Sequence, residues 1–186
     1  MQVHETGLAG VLILEPKCFG DDRGFFFESF NARVFQAATG VWANFVQDNH
    51  SYSKKGILRG LHYQLPRPQG KLVRVATGSV LDVVVDLRAG SPTLGRSVCV
   101  ELSAQNRLQM WVPPGFAHGF QVLSEEGADF IYKTTEYWVP EHEHCIRWDD
   151  PDLDVKWASG IAPIVSDKDA RGIAFRDAVK FPRSKD

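Results

Sequence analysis

Short β-rich runs, each closed by a glycine, proline or acidic turn, constrain this chain more than any other feature. Residues 11–15, 25–30, 45–53, 57–64, 71–77, 80–87, 97–102, 109–112, 119–123 and 129–135 read as strands. Between them stand Gly56, Gly70, Gly78, Gly90-Ser91-Pro92, Pro113-Pro114-Gly115 and Glu125-Glu126-Gly127, residues that bend a backbone and stop a strand. A turn is also predicted over residues 20–24. Many short strands at this spacing build a sandwich, jelly roll or barrel, because no β/α alternation supplies parallel crossovers. Two short helices complete the prediction. One runs from Asn31, a capping residue, to Thr39 before Gly40, and the other begins near Ser166. The whole chain, 1–186, is read as one all-β domain.

Bulk chemistry excludes several function classes. With 44% hydrophobic and 24% charged residues and a formal net charge of -2, nothing draws nucleic acid or an anionic membrane by overall charge. The most apolar run, 80–87, is interrupted by Asp82 and Asp86, so no membrane span is predicted. Three widely spaced cysteines, Cys18, Cys99 and Cys145, form no disulfide framework. With no signal-peptide pattern at Met1–Gly10, the expectation is a cytoplasmic protein.

Strand alternation sorts side chains. In 80–87, Leu81, Val83, Val85 and Leu87 share one face, which needs cover from a second sheet or subunit. Asp82, Val84 and Asp86 share the other. Asp86 is expected to meet solvent, whereas Asp82 stays open between solvent and a polar barrel interior. Glu141-His142-Glu143-His144 resembles a metal tract but reads as a mostly solvated strand edge. Arg59 and His62, three apart, should face opposite ways on a regular strand. If both meet one ligand the strand must bulge, and Gly60 is the place.

Two segments carry a recognisable pattern. Gly56, His62 and Gln64 have the spacing that opens the first cupin motif, and Pro113, Gly115 and His118 have the centre of the second. A metal cupin normally offers a second histidine where Gln64 stands and a carboxylate where Pro68-Gln69 falls. Two imidazoles are too few for zinc or iron, so no metal is expected. Further segments occur in order: Asp22-Arg23-Gly24 with Phe26 and Glu28; Gln47-Asp48-Asn49; Leu58 to Gln64; Gly70-Lys71-Leu72-Val73-Arg74; Val112 to Phe120; Tyr132-Lys133; and Ser166-Asp167-Lys168-Asp169. Together they resemble the dTDP-4-dehydrorhamnose 3,5-epimerase family of the cupin superfamily, from about residue 10 to about residue 170.

That resemblance implies a double-stranded β-helix barrel, a homodimer, a dTDP-linked 4-keto-6-deoxy sugar as substrate and no cofactor. It implies His62 as base, Tyr132 as acid, Lys71 beside the developing enolate and Asp169 orienting His62. Arg23 and Arg59 would meet the pyrophosphate. Glu28, Gln47, Asp48, Asn49, His118, Glu143 and Lys168 would complete the substrate contacts, with Trp138 a core residue or a base-stacking platform. A C4 ketone acidifies the hydrogens on C3 and C5, which is why a base, a donor on the opposite face and an oxyanion partner are the groups required. Taken alone, Tyr132 reads as a core tyrosine, and Ser166 with Asp169 as a helix capping box. Trp138 stands where many members carry a tyrosine. Three alternatives stay open: a single-carbon epimerase, a metal-dependent cupin enzyme using His62 and His118, and a non-catalytic sugar-nucleotide binding module.

Overall fold

A computed structural model describes residues 1–182. Thirteen strands among them form two facing antiparallel sheets and a separate hairpin. The larger sheet has the order β1 (Gln2–Glu5), β2 (Leu12–Glu15), β10 (Gln109–Val112), β7 (Lys71–Thr77), β12 (Ala128–Thr134), β5 (Gln47–Ser53). The smaller has the order β13 (Glu143–Cys145), β6 (Leu58–Gln64), β11 (Phe116–Val122), β8 (Ser79–Asp86), β9 (Ser97–Ser103). The hairpin is β3 (Cys18–Asp21) with β4 (Gly24–Phe27). The all-β cupin-type barrel is therefore the observed architecture. No helix among the described residues is long and apolar enough to cross a membrane.

The two inner faces close on a core of Val73, Val75, Val80, Val84, Met110, Phe116, Phe120 and Phe130. Phe120 and Phe130 stack across the sheets at 4.2 Å. Each such fully buried side chain stabilises the fold by about 1.5–3 kcal/mol, which sets the barrel walls firmly enough to aim polar groups between them. Helix α1 (Ala32–Thr39) starts at Asn31, whose Oδ1 accepts from the Arg33 and Val34 N–H groups, and ends at Gly40 with φ 71°. Its Phe35 packs with Leu14, Leu72 and Trp111 on the outer face of the larger sheet.

Strand β8 alternates as predicted, with two corrections. Its odd-numbered face is covered by this chain itself: Val83, Val85 and Leu87 pack with Leu153, Ala178 and Phe181 of the C-terminal segment. That face therefore needs no second subunit. Asp86, expected in solvent, is 0% exposed. It accepts hydrogen bonds from Arg88, Ser91 and Thr93 at the turn that follows β8. Burial alone would raise its pKa. The three side chains and the Arg88 N–H outweigh that and hold it at about 2.

Sequence reasoning missed β1 and β3, each four residues long. Such strands lack enough positions for a period to show. The edge expected in solvent over Glu141–His144 runs into β13, which pairs with β6 and is half-buried.

Candidate active site

Between the sheets lies a cavity of about 350 Å³. Asn49 and Ser51 of β5, Lys71 of β7 and Phe130 and Tyr132 of β12 line it from the larger sheet. Arg59 and His62 of β6, His118 of β11 and Glu143 of β13 line it from the smaller one. Tyr132 and His62 therefore belong to opposite walls. Trp138, about half exposed, and Lys168 stand among the lining residues beyond the strands.

The bulge at Gly60 makes this possible. His118 pairs with His62 but Phe120 pairs with Arg59, so β6 uses one more residue than β11 over the same stretch. Gly60 takes φ 116°, and a Cβ there would stand 2.6 Å from Gly119 Cα. The extra residue brings Arg59 and His62 to one cavity. Arg59 Nε is steadied by donating to Ser53 Oγ at 3.0 Å.

His62 Nε2 lies 2.6 Å from Asp169 Oδ1. A carboxylate only accepts, so Nε2–H is the donor and Nδ1 is the nitrogen left for a substrate. Asp169 reaches His62 because the tail is pinned on both sides of helix α2 (Asp167–Ala170). The Ile164 N–H donates to Gly56 O at 2.8 Å, and the Ile173 N–H donates to Cys145 O at 2.9 Å. Ser166 Oγ accepts from the Asp169 N–H at 3.1 Å. Half of the capping box is thus present, while the Asp169 carboxylate, 4% exposed as a residue, is committed to the imidazole. Burial raises its pKa, but His62, Ser166 and Cys145 bring it below the ordinary value.

Burial pushes the Tyr132 phenol up, Glu143 adds to the rise and Arg59 opposes it. The hydroxyl stays protonated near neutral pH. Burial pushes the Lys71 ammonium down, and the Glu143 and Asp82 carboxylates offset part of that. Asp82 itself, fully buried, meets His118 Nε2 at 2.9 Å. It was open in the sequence because alternation alone cannot say which face of a barrel strand is wet. Glu143 is bridged to Lys168.

The remaining predicted contacts scatter. Gln47 Nε2 donates to Asn49 Oδ1 at 2.8 Å, and Gln47 Oε1 accepts from the Trp138 N–H at 3.1 Å, so Gln47 braces the rim. Asp48, one residue on, turns away from Asn49 and accepts from Lys133 Nζ at 2.8 Å outside this cavity. Arg23 and Glu28 also do not line it. Arg23 sits at the hairpin tip paired with Asp21, with 89% of its side chain exposed, and Glu28 accepts from Asn31.

A cupin metal finds no complete ligand set at the motif positions. The Gln64 amide is occupied by backbone: Nε2 donates to Arg67 O at 2.6 Å and Tyr137 O at 3.0 Å, and Oε1 accepts from the Val139 N–H at 2.9 Å. Cys145, opposite His62 on β13, is not among the site residues the sequence points to; without the pairing of β13 with β6, nothing sets it beside the histidine.

Comparison with known proteins agrees with this architecture. The family model for dTDP-4-dehydrorhamnose 3,5-epimerase matches residues 5–177. The chain is 57% identical over 182 residues to the dTDP-4-dehydrorhamnose 3,5-epimerase of Pseudomonas aeruginosa, across 98% of this chain and 100% of the relative. A dTDP-6-deoxy-D-glucose-3,5-epimerase from Legionella pneumophila, solved with dTDP-4-keto-L-rhamnose, superposes with a TM-score of 0.95 at 48% identity, covering 100% of this chain and 99% of that one. A 3'-monoepimerase from Streptomyces bikiniensis, solved with dTDP-quinovose, has a TM-score of 0.87 at 33% identity, over 93% of this chain and 87% of that one. This chain belongs to the dTDP-4-dehydrorhamnose 3,5-epimerase family.

Proposed function

We propose that the chain inverts C3 and C5 of dTDP-4-dehydro-6-deoxy-D-glucose, giving dTDP-4-dehydro-L-rhamnose on the way to dTDP-L-rhamnose, with no metal or other cofactor. The observation that carries this reading is the pair of walls: an Asp169-oriented imidazole on one and a protonated phenol on the other, across one small cavity. His62 Nδ1 removes the proton beside the ketone. Asp169 holds the ring and stabilises the imidazolium that forms. The enolate oxygen gathers charge against the Lys71 amine, a donor already in place before reaction, which is where such stabilisation is greatest. Tyr132 delivers a proton from the opposite face, so the centre inverts. His118, whose Nε2–H donates to the Asp82 carboxylate, lines the same cavity and offers its Nδ1 as an acceptor for a sugar hydroxyl.

Arg59 and Lys168 suit the pyrophosphate, and Trp138 offers a face for the thymine at the mouth. Arg23 and Glu28 fit the same reading if a second copy supplies them. The hairpin β3–β4 joins neither sheet, and it exposes Phe19, Phe25 and Phe26 by 54%, 59% and 66%. A lone two-stranded hairpin is marginal in water, so a homodimer in which it docks on a partner gives it cover and brings Arg23 toward the partner's cavity. We place the enzyme in the cytoplasm, acting on a small nucleotide sugar with no nucleic-acid or membrane partner.

The test is incubation with dTDP-4-keto-6-deoxyglucose in D2O, in EDTA-treated buffer, followed by NMR. Deuterium and inversion at both C3 and C5 are expected. Inversion at one carbon makes this a single-carbon epimerase. No exchange at all leaves only a binding module.

A further inference from the structure

The catalytic wall contains a cluster that proton transfer alone does not require. Cys145 is the cross-strand partner of His62. The neighbouring pair, Leu61 and Ile146, exchanges both backbone hydrogen bonds, at 3.2 and 2.9 Å. The His62–Cys145 pair is therefore of the non-hydrogen-bonded kind, in which facing side chains come closest. Asp169 joins them from α2, with Cys145 Sγ 3.7 Å from Asp169 Oδ1 and the His62 nitrogen 2.6 Å from that same oxygen. One donor atom from each of the three residues lies within 4.8 Å of the other two.

A tetrahedral zinc site sets the separations that such a triad has to reach. Bonds of about 2.0–2.1 Å to nitrogen and oxygen and about 2.3 Å to sulfur put neighbouring ligand atoms roughly 3.3–3.6 Å apart. The sulfur–oxygen separation already fits. The nitrogen–oxygen pair must open by about 0.7 Å, the change expected when a metal replaces the shared proton.

We propose that His62, Cys145 and Asp169 bind a soft divalent cation, Zn2+ foremost, and that its binding switches the enzyme off. Thiolate with imidazole selects Zn2+ over Mg2+ or Ca2+. The proton balance explains the inhibition. The metal takes the Nε2 lone pair and the thiol releases its proton to solvent. The single proton of the neutral imidazole then resides on Nδ1, so the lone pair that would attack the substrate is gone. Binding itself follows from the geometry alone; inhibition rests on His62 being the base.

Co2+ titration of the full chain provides a readout independent of turnover. A thiolate–cobalt charge-transfer absorption in the near-ultraviolet is expected at one cobalt per chain, absent in Cys145→Ala and Cys145→Ser. Zn2+ should displace the cobalt and remove the absorption. In the epimerase assay, Zn2+ should inhibit and EDTA restore, with the inhibition constant at least tenfold weaker in both variants, each compared with its own metal-free rate. Mg2+ should have no effect. A charge-transfer absorption that survives in both variants, or zinc inhibition of unchanged strength, would overturn the site. A normal cobalt spectrum with unimpaired turnover would overturn the inhibitory role alone. A chain that turns over no sugar nucleotide would still report the metal site by its spectrum.

Discussion

Gly60→Ala tests whether one backbone position assembles the site. Gly60 sits at φ 116°, and an added Cβ would stand 2.6 Å from Gly119 Cα and 2.7 Å from His118 O. Both contacts are backbone, so no side chain can swing aside. The unfavourable φ costs about 1–3 kcal/mol and the overpacking a further ~1–3 kcal/mol. The sum, roughly 2–6 kcal/mol, is a large share of the ~5–15 kcal/mol by which folded proteins are stable. At about 2–4 °C per kcal/mol for a chain of this size, Tm should fall by at least ~4 °C. Where the chain still folds, relief of the clash must move Arg59, His62 or His118, and kcat/KM should drop by about 10²-fold. Gly40→Ala is the control: Gly40 has φ 71° but nothing within 4 Å of an added Cβ. It should lose only the conformational part, ~1–2 kcal/mol, and keep its activity. Urea denaturation with steady-state kinetics on both variants decides the matter. A Gly60→Ala enzyme no less stable than Gly40→Ala and fully active would refute the bulge as the device that aligns Arg59 with His62.

Three further outcomes follow from particular contacts. Arg59→Ala should raise KM about tenfold or more with little change in kcat, because a phosphate contact persists unchanged into the transition state; a kcat loss at constant KM in initial-rate data would contradict the assignment. Asp86, held at about 2 against an ordinary 3.8, contributes about 2 kcal/mol that is fully present above pH ~4 and lost as pH falls through 2. Asp86→Asn should therefore be less stable than the parent at pH 7 and approach it near pH 2, by urea titration at each pH; equal stability at pH 7 would sink the network. Replacing Phe25 and Phe26 together by serine should leave a monomer by light scattering and depress activity, whereas an intact, active dimer would remove the hairpin from the interface.

Elements with room for a period, or with strong punctuation, were legible in the sequence. β7 and β10 have their predicted bounds, and the helix capped by Asn31 ends before Gly40 as expected. The Gly60 bulge was legible because Arg59 and His62 made contradictory demands on one strand. What escaped depends on the third dimension. Asp86 looked solvated because the arginine and hydroxyls that satisfy it come from the following turn. The face of Leu81, Val83 and Val85 could be assigned only to a second sheet or subunit because its cover, Leu153, Ala178 and Phe181, lies far along the chain. Cys145 became part of the site only through the pairing of a three-residue strand.

The division of labour between His62 and Tyr132 is tested most directly by NMR of the sugar nucleotide recovered from D2O. His62→Asn removes the base, so neither deuterium uptake nor inversion should occur. Tyr132→Phe keeps the base and removes the opposite donor: the imidazole abstracts, exchanges with solvent and returns the proton to the same face. Deuterium should then enter at C3 or C5 with epimerisation reduced roughly 10²–10⁴-fold, the scale of a positioned acid. Inversion of both centres by Tyr132→Phe at near wild-type rate would contradict the two-walled mechanism.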